Sequence, residues 1–429
     1  MNNNQINIPI ILFSILPISI ILGSGVSLIN TVLISLCFIF VYFSKNKIEI
    51  YDYKPIIFLS ILNLYLVFNS LISVDMMSGI YRNFGFVRFL FFFLMINYLF
   101  FVSEKSLNIL KIWTLVFFIV LIDIYIERFT GSNILGFSYS LIADGIQTRG
   151  YRVVSFFRTE PIPGAFICGF SFIVLGFILN FLKSNKMFKL LGFFIILFCL
   201  IGIILTGERS NGLKALVGFL IFISIIDYVK LKNKIFFFLA IFTMFFSIIN
   251  FSDYAKYRYV DQFYNKIKNE SEREKFLSNS LYIKLYKSGF NVFKNYPLFG
   301  VGNKNYRVET CDTKKNTVIK GYYCLTHPHQ VYIEMLSEHG IIGTIIIMSI
   351  IFYLMFRIIR KTIDSRNYIQ AGCLIFLLIN FIPVLPSGSF FNNFNITLFM
   401  INFSLMYAVN KETNIFQKKK ILKIFFLGR

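Results

Sequence analysis

All three histidines of the chain, His327, His329 and His339, lie within the sequence THPHQVYIEMLSEHG. Imidazole is the side chain that most readily exchanges a proton near neutral pH, so this clustering indicates acid/base chemistry. We assign general acid/base work to His329, a structural role to His339, and substrate binding to His327 and Glu334. A metal site built from His327, His329, Glu334 and Glu338 is an alternative. The HExxH pattern is absent, and we predict no metal.

Arginines and acids in two other segments accompany these histidines. The segment at residues 127–160 and the short link LTGERSNG contribute Arg149, Arg152, Arg158, Glu160, Glu208 and Arg209. Arginines without a matching number of acids suit an anionic ligand, such as a phosphate or diphosphate held by forked hydrogen bonds. Arg149 and Arg152 could instead bind lipid head groups. Arg209 is the strongest candidate, because a glycine-flanked Glu–Arg pair in a tight link has little structural purpose.

Two cysteines are set apart from the other four. Cys37, Cys168, Cys199 and Cys373 fall in apolar stretches, where a small apolar role is expected. Cys311 and Cys324 lie 13 positions apart in a long polar segment before the histidines. In an oxidising compartment such a pair forms a disulfide, and we predict one here.

Membrane helices must position these residues. The chain has 429 residues, of which 56% are hydrophobic and 15% charged, and one soluble fold cannot bury so much apolar surface. Charge-poor stretches recur along the sequence, each about as long as a bilayer is thick. We predict an all-α, polytopic transmembrane bundle of about twelve spans. They lie at residues 7–23, 26–43, 55–74, 84–102, 109–126, 161–182, 188–206, 212–229, 234–251, 336–356, 368–386 and 393–410.

Basic residues indicate the orientation of the bundle, because Lys and Arg are retained on the cytoplasmic side. Alternate connections contain Lys45, Lys47, Lys54, Lys105, Lys111, Lys183, Lys186, Lys189, Lys230, Lys232, Lys234, Arg357, Arg360, Lys361 and Arg366, and the tail contains Lys418, Lys419 and Lys420. Both termini are therefore expected in the cytoplasm. The predicted division is spans 1–9 at residues 1–251, an outside loop with short amphipathic helices at 252–335, and spans 10–12 with a basic tail at 336–429.

The charge balance and the missing motifs limit the possible functions. The net charge of +22 is explained by topology and by anionic membrane lipids, so we expect no nucleic-acid partner. No P-loop or dinucleotide fingerprint occurs in the sequence. A group-transfer reaction outside the cytoplasm therefore needs a donor with its own leaving group. A glycan on a polyprenyl diphosphate meets that need, with arginines stabilising the departing diphosphate and a base activating a hydroxyl.

Six sequence blocks resemble the O-antigen ligase and polymerase superfamily of bacterial envelope glycosyltransferases. In chain order they are DIYIERFTGSNILGF, FFRTEPIPGAF, LTGERSNGLKAL, YPLFGVG, CLTHPHQVYIEMLSEHGIIG and LPSGSFFNNF. Each block alone is weak, but six in order near the outside of a polytopic chain form a fairly specific signal. The superfamily commonly has Asn after the histidine where this chain has Gln330.

The resemblance implies a transmembrane bundle with a long periplasmic loop in the bacterial inner membrane. It implies metal-independent transfer of a glycan from undecaprenyl diphosphate, without a cofactor, to a lipid A–core or glycan acceptor. By motif, Arg209 would contact the lipid diphosphate and His329 would be the essential histidine. Arg158 and Glu160 match the FFRTE block, and we place Arg152, Glu208, His327 and Glu334 with them as substrate-binding residues.

Two alternatives remain at this point. The shared motifs do not separate a ligase, which transfers a finished glycan to lipid A–core, from a polymerase that joins lipid-linked repeat units. The HPHQ-to-GIIG block favours the ligase. A lipid-linked glycan flippase or transporter is a candidate of another class, but transporters usually show internal repeats and ionisable residues at the midplane. Neither is evident in this sequence.

Overall fold

The computed structural model describes residues 4–44, 48–103, 106–138, 152–181, 186–227, 229–264, 268, 273–274, 280–312 and 321–418. In this part of the chain all regular elements are helices, as predicted. The first eleven are α1 Asn4–Ser14, α2 Leu16–Ile21, α3 Ser24–Ser44, α4 Lys54–Leu71, α5 Met76–Phe84, α6 Val87–Val102, α7 Ser106–Thr130, α8 Pro163–Phe181, α9 Lys186–Leu205, α10 Arg209–Ile225 and α11 Leu231–Phe251. They are followed by α12 Asp253–Lys256, a π-helix at Tyr257–Tyr264, α13 Leu281–Asn295, α14 Tyr306–Cys311, α15 Val331–Phe356, α16 Ile359–Ser365, α17 Tyr368–Ile379 and α18 Asn393–Ala408. A short 3₁₀-helix at Ser155–Phe157 lies between α7 and α8.

Each of the twelve apolar stretches contains helix among its described residues, but the span count of twelve is not confirmed. Among the described residues, seven helices are long and apolar enough to cross a membrane: Ser24–Ser44, Lys54–Leu71, Met76–Val102, Leu107–Thr130, Pro163–Asn180, Leu231–Phe251 and Val331–Ser365. The remaining stretches form shorter or broken helices. Residues 7–23, for example, are divided between α1 and α2, with Pro17 in the first turn of the second.

The stretch at 368–386 shows why the apolar length overstates the helix. Helix α17 has 12 residues and ends at Ile379. At about 1.5 Å per residue it is shorter than the hydrocarbon core of a bilayer. Pro383 and Pro386 follow, and proline cannot continue a helix because it lacks an N–H.

Helices α8 and α17 form the centre of the bundle, and they pack closely because small residues line their contact. A Cβ on Gly176 of α8 would lie 2.4 Å from the carbonyl oxygen of Tyr368, and a Cβ on Gly372 of α17 would lie 2.2 Å from that of Phe172. Small residues permit such close backbone contact between membrane helices. Helix α8 also packs against α7, α9 and α18.

Peripheral helices present apolar side chains outward, as expected for a protein in lipid. In α11 the exposed side chains include Phe236, Leu239, Phe246 and Phe251. A water-soluble domain rarely exposes a continuous apolar surface of that kind. The structure therefore supports a multi-pass membrane protein.

Two helices extend beyond the spans predicted for them. The predicted span at 109–126, which contains the buried Asp123, corresponds to α7, which continues to Thr130 and so also includes the buried Glu127. The predicted span at 336–356 corresponds to α15, which begins at Val331 and includes Glu334. These extensions add Glu127 and Glu334 to the helices that border the candidate site.

The amphipathic helix expected in the segment 252–335 is present as α13. Its buried residues Leu285, Ser288, Gly289 and Val292 face α15. The orientation of the chain and the side on which this segment lies stay predictions. Of the basic residues used for orientation, Lys45, Lys47, Lys105, Lys183, Lys419 and Lys420 lie outside the described residues, as does Arg149.

Candidate functional site

The HPHQ segment, residues 327–330, leads into the N-terminus of α15. His329 has a φ of 57°, a left-handed conformation that histidine adopts more readily than most residues. Gln330 is the N-cap, and its side-chain oxygen accepts a hydrogen bond from the N–H of Ile333 at 2.8 Å. Gln330 therefore satisfies a free N–H of the first turn, which fixes the position of His329 just before the helix.

The imidazoles of His327 and His329 are adjacent, with ring centroids 3.9 Å apart. Tyr282, at the start of α13, lies edge-on to His329 with the two ring centroids 6.0 Å apart. His327 is 9% exposed, whereas His329 is half-buried. The His329 ring thus contacts both a second imidazole and a tyrosine ring.

Burial is the main cause of the low basicity of both imidazoles. It lowers the pKa of His327 to about 4, and the charge of Lys304 adds to the effect. Burial also lowers the pKa of His329 to about 4, helped by His327 and Arg152 and opposed by Glu334. Both rings are therefore neutral at neutral pH, and His329 can accept a proton.

A kink in α15 places the YPLFGVG block against the candidate site. At Gly340 the backbone has a φ of 62°, which glycine adopts without strain. The N–H groups that follow, on Ile341 and Ile342, donate to the carbonyls of Pro297 and Leu298 at 2.8 and 3.1 Å. Two carbonyls of the block therefore accept N–H groups that would otherwise donate to carbonyls within α15.

Lys304 follows this block and enters a buried polar cluster with Glu334 and Ser389. The Lys304 ammonium lies 3.8 Å from a carboxylate oxygen of Glu334, with the side chains 13% and 1% exposed. Ser389 donates its hydroxyl to Glu334 at 2.6 Å, and the N–H of Phe390 donates to the other oxygen at 3.0 Å. Lys304 also donates to the Ser389 hydroxyl. Because both oxygens of Glu334 already have these partners, the carboxylate is better placed to position neighbouring residues than to contact the substrate.

The PSGS loop, residues 386–389, joins His329 to the GERS link, residues 207–210. The backbone N–H of Ser387 donates to the carbonyl of His329 at 2.8 Å. The hydroxyl of Ser210 donates to the carbonyl of Pro386. Two hydrogen bonds to neighbouring residues therefore connect the predicted base to the residue directly after Arg209.

The GERS link turns sharply between α9 and α10. Gly207 has a φ of 79°, and a Cβ at this position would lie 1.7 Å from the hydroxyl oxygen of Tyr254. Only glycine fits both the left-handed backbone and the close contact. Arg209 then begins α10 and is half-buried.

Glu208 is 8% exposed, and its carboxylate joins the link to the start of α8. One oxygen accepts from the N–H of Gly164 at 2.7 Å, and the other accepts from the Asn211 side chain at 2.7 Å. Burial raises the pKa of Glu208 to about 7, while the charge of Arg152 and these hydrogen bonds oppose the shift. By accepting the N–H of Gly164, Glu208 satisfies a free backbone donor in the first turn of α8, and this bond holds the GERS link against that helix.

Asp123 and Glu127 hold the segment that contains Arg152 and Arg158. The Glu127 carboxylate accepts from the N–H groups of Val154 and Ser155, and Asp123 accepts from the Ser155 hydroxyl. These bonds fix the segment against the end of α7. Because the charge of Arg152 acts on Glu208 and on His329, Arg152 lies within electrostatic range of both the GERS link and the HPHQ segment.

Arg158 and Glu160 are exposed. Arg158 has a φ of 59°, which is uncommon for arginine and indicates local strain. Within the described part of the chain, no hydrogen bond or ion pair connects either residue to His329. Their role as substrate-binding residues stays a prediction.

Cys311 and Cys324 are joined by a disulfide. It connects the end of α14 to the segment that precedes the HPHQ motif. Tyr306, also in α14, donates to the Ser288 hydroxyl of α13 at 2.8 Å. The disulfide therefore restrains the chain close to the point where it enters the site.

One comparison with known proteins finds a family for part of this chain. Residues 193–348 match the family model described as O-Antigen ligase. The chain carries an O-antigen ligase domain over this range, and the superfamily recognised from the sequence blocks is thereby confirmed. A comparison with curated proteins gives no match.

The O-antigen ligase domain contains Glu208, Arg209, His327, His329 and Glu334. Arg152, Arg158 and Glu160 precede it, and the PSGS loop follows it. The site therefore combines residues of the O-antigen ligase domain with segments on both sides of it.

Sequence reasoning did not identify Lys304, Ser387 or Ser389. The blocks YPLFGVG and LPSGSFFNNF lie beside or around them, and these blocks were the only available signal. Asp123 and Glu127 were missed as positioning residues, because acids near a predicted span end are common. Their buried contacts to backbone N–H groups became evident only in the fold.

Proposed function

We propose that this chain transfers a glycan from undecaprenyl diphosphate to a hydroxyl of lipid A–core at the periplasmic face of the bacterial inner membrane. The observation that carries the proposal is the connection of the GERS link to the HPHQ segment through Pro386 and Ser387. It supports action of Arg209 and His329 on one substrate pair. Membership of the O-antigen ligase superfamily supports the same reaction class.

In the proposed reaction, the acceptor hydroxyl oxygen attacks the anomeric carbon of the donor glycan. The bond between that carbon and the diphosphate oxygen breaks, and the electron pair leaves with undecaprenyl diphosphate. His329 accepts the hydroxyl proton and later releases it to water. Arg209, with Arg152 and Arg158, stabilises the negative charge of the leaving diphosphate.

The protonation state of His329 supports its role as the base. With a pKa of about 4, the imidazole is neutral and holds a free lone pair at neutral pH. Neighbouring cations assist in keeping it neutral, and the same cations attract an anionic donor. The low pKa also makes His329 a weak base, so the neighbouring cations favour binding of the donor and disfavour the imidazolium that forms on proton transfer.

Deletion of the gene, followed by electrophoresis of lipopolysaccharide, tests the proposal. We expect loss of smooth lipopolysaccharide with accumulation of long carrier-linked polymer, and recovery when the wild-type gene is returned. Core bearing a single repeat unit would instead assign the polymerase reaction. Unchanged lipopolysaccharide and unchanged carrier-linked glycan would contradict both.

A further inference from the structure

His327 is not used by the proposed mechanism, although it lies against His329. Its Nδ1 is 3.0 Å from the hydroxyl of Thr326. Its Nε2 is buried and has no hydrogen-bond partner among the described residues. A buried polar atom without a partner is costly, so it generally marks a place where another group binds.

Ser387 supplies a second such atom beside the same ring. Its hydroxyl oxygen is buried, and in the described part of the chain it too lacks a hydrogen-bond partner. The backbone of Ser387 lies close to both imidazoles and tends to raise the pKa of each. It does not form a hydrogen bond with Nε2 of His327. Because the N–H of Ser387 is bonded to His329, the position of its side chain is fixed relative to the predicted base.

We infer that His327 Nε2 and Ser387 Oγ form a subsite that binds a hydroxyl of the acceptor sugar, next to the hydroxyl that reacts at His329. The inference rests on the proposed function. It extends that function by assigning the acceptor, rather than the donor, to the side of His329 occupied by His327.

The chemistry of the two groups fits a neutral, hydroxyl-rich ligand. A serine hydroxyl and a neutral imidazole each donate or accept, so together they complement a sugar hydroxyl, which does both. A diphosphate would instead require charged donors, and those are the arginines near the GERS link. The site is thus divided into a donor side with arginines and an acceptor side whose cation, Lys304, is already paired with Glu334.

Steady-state kinetics of the purified full chain in liposomes test this division. The donor is undecaprenyl-diphosphate-linked glycan, and the acceptor is lipid A–core or, for a polymerase, the lipid-linked repeat unit. We expect Ser387→Ala to raise the acceptor KM by about fivefold, the value of one neutral hydrogen bond, and to leave the donor KM unchanged. Ser387→Thr keeps the hydroxyl and should restore most of the acceptor affinity.

His327→Gln provides an independent variant that should also raise the acceptor KM. In the double variant with Ser387→Ala, the increase in acceptor KM should be smaller than the product of the two single increases, because both groups contact one hydroxyl. Ser365→Ala is the matched control: this serine is also half-buried, but it bonds the Thr362 carbonyl in α16. Unchanged acceptor KM in both variants, or a loss confined to kcat, would overturn the inference. Absence of transfer by the wild type to either acceptor would instead count against the proposed function.

Discussion

The backbone N–H of Ser387 donates to the carbonyl oxygen of His329 at 2.8 Å, joining the HPHQ segment to a loop near the end of the chain. Pro386, the preceding residue, accepts the hydroxyl of Ser210. A single short loop therefore fixes the distance between the predicted base and the predicted diphosphate-binding arginine.

Removal of the Ser210 hydroxyl should impair transfer although Ser210 itself has no chemical role. Ser210→Ala frees the Pro386 carbonyl and loosens Arg209 relative to His329. Small misplacements of catalytic groups are costly, so we expect kcat to fall by about tenfold. The check is the initial rate of transfer in liposomes. Ser224→Ala in the same helix is the control, and an equal rate for both variants would refute the positioning role.

The rate should depend on pH through His329. Because its pKa is lowered to about 4, His329 is unprotonated at neutral pH and becomes protonated only as the pH falls through about 4. We expect kcat/KM to stay level from neutral to mildly acidic pH and to fall below that range. Arg152→Gln removes a charge that lowers this pKa, so the acid limb should move to higher pH. A limb that stays in place would show that Arg152 does not act on His329.

Glu208 should make the stability of the protein depend on pH. Its folded pKa of about 7 exceeds the unfolded value of 4.5, so the folded state binds the proton more tightly. The resulting stability is fully present below pH 4.5 and is lost as the pH rises through 7. In detergent, the wild-type Tm should fall between pH 5 and about pH 8.

The matched variant is Glu208→Gln, which keeps an oxygen for the N–H of Gly164 but cannot ionise. We expect a smaller decrease in its Tm over the same pH range. If the wild type and the variant lose stability in parallel, Glu208 is not the responsible group.

The cluster of Lys304, Glu334 and Ser389 should contribute strongly to stability. Lys304→Met leaves the Glu334 carboxylate buried without its cation, which typically costs about 3 kcal/mol. The expected result is a Tm several degrees lower, measured by intrinsic fluorescence in detergent. The double variant Lys304→Met, Glu334→Gln removes both charges and should recover part of the loss. Additive destabilisation in the double variant would contradict an ion pair at this site.

The sequence predicted the helical class and the residues of the short motifs, because apolar length and residue type are local properties. Its count of twelve spans is not confirmed, since apolar residues continue beyond helix ends, as they do between Ile379 and Pro386. The disulfide between Cys311 and Cys324 could be predicted because the two cysteines are close in sequence.

The contacts that assemble the site were not predictable from one sequence. Ser387 meets His329, and Glu208 meets Gly164, across long stretches of intervening chain. No local periodicity encodes such pairs. Lys304 is a single loop residue whose burial depends on the kink at Gly340, and nothing in its neighbours signals an ion pair with Glu334.

The most direct test of the account is glycan transfer by purified protein in liposomes that contain undecaprenyl-diphosphate-linked glycan and lipid A–core. We expect Arg209→Ala and His329→Ala each to abolish transfer while expression and membrane insertion stay normal. Arg360→Ala, at an arginine whose side chain is 95% exposed in α16, should behave like the wild type. Near-normal transfer by either the Arg209 or the His329 variant would contradict the central claim that these two residues act on one substrate pair.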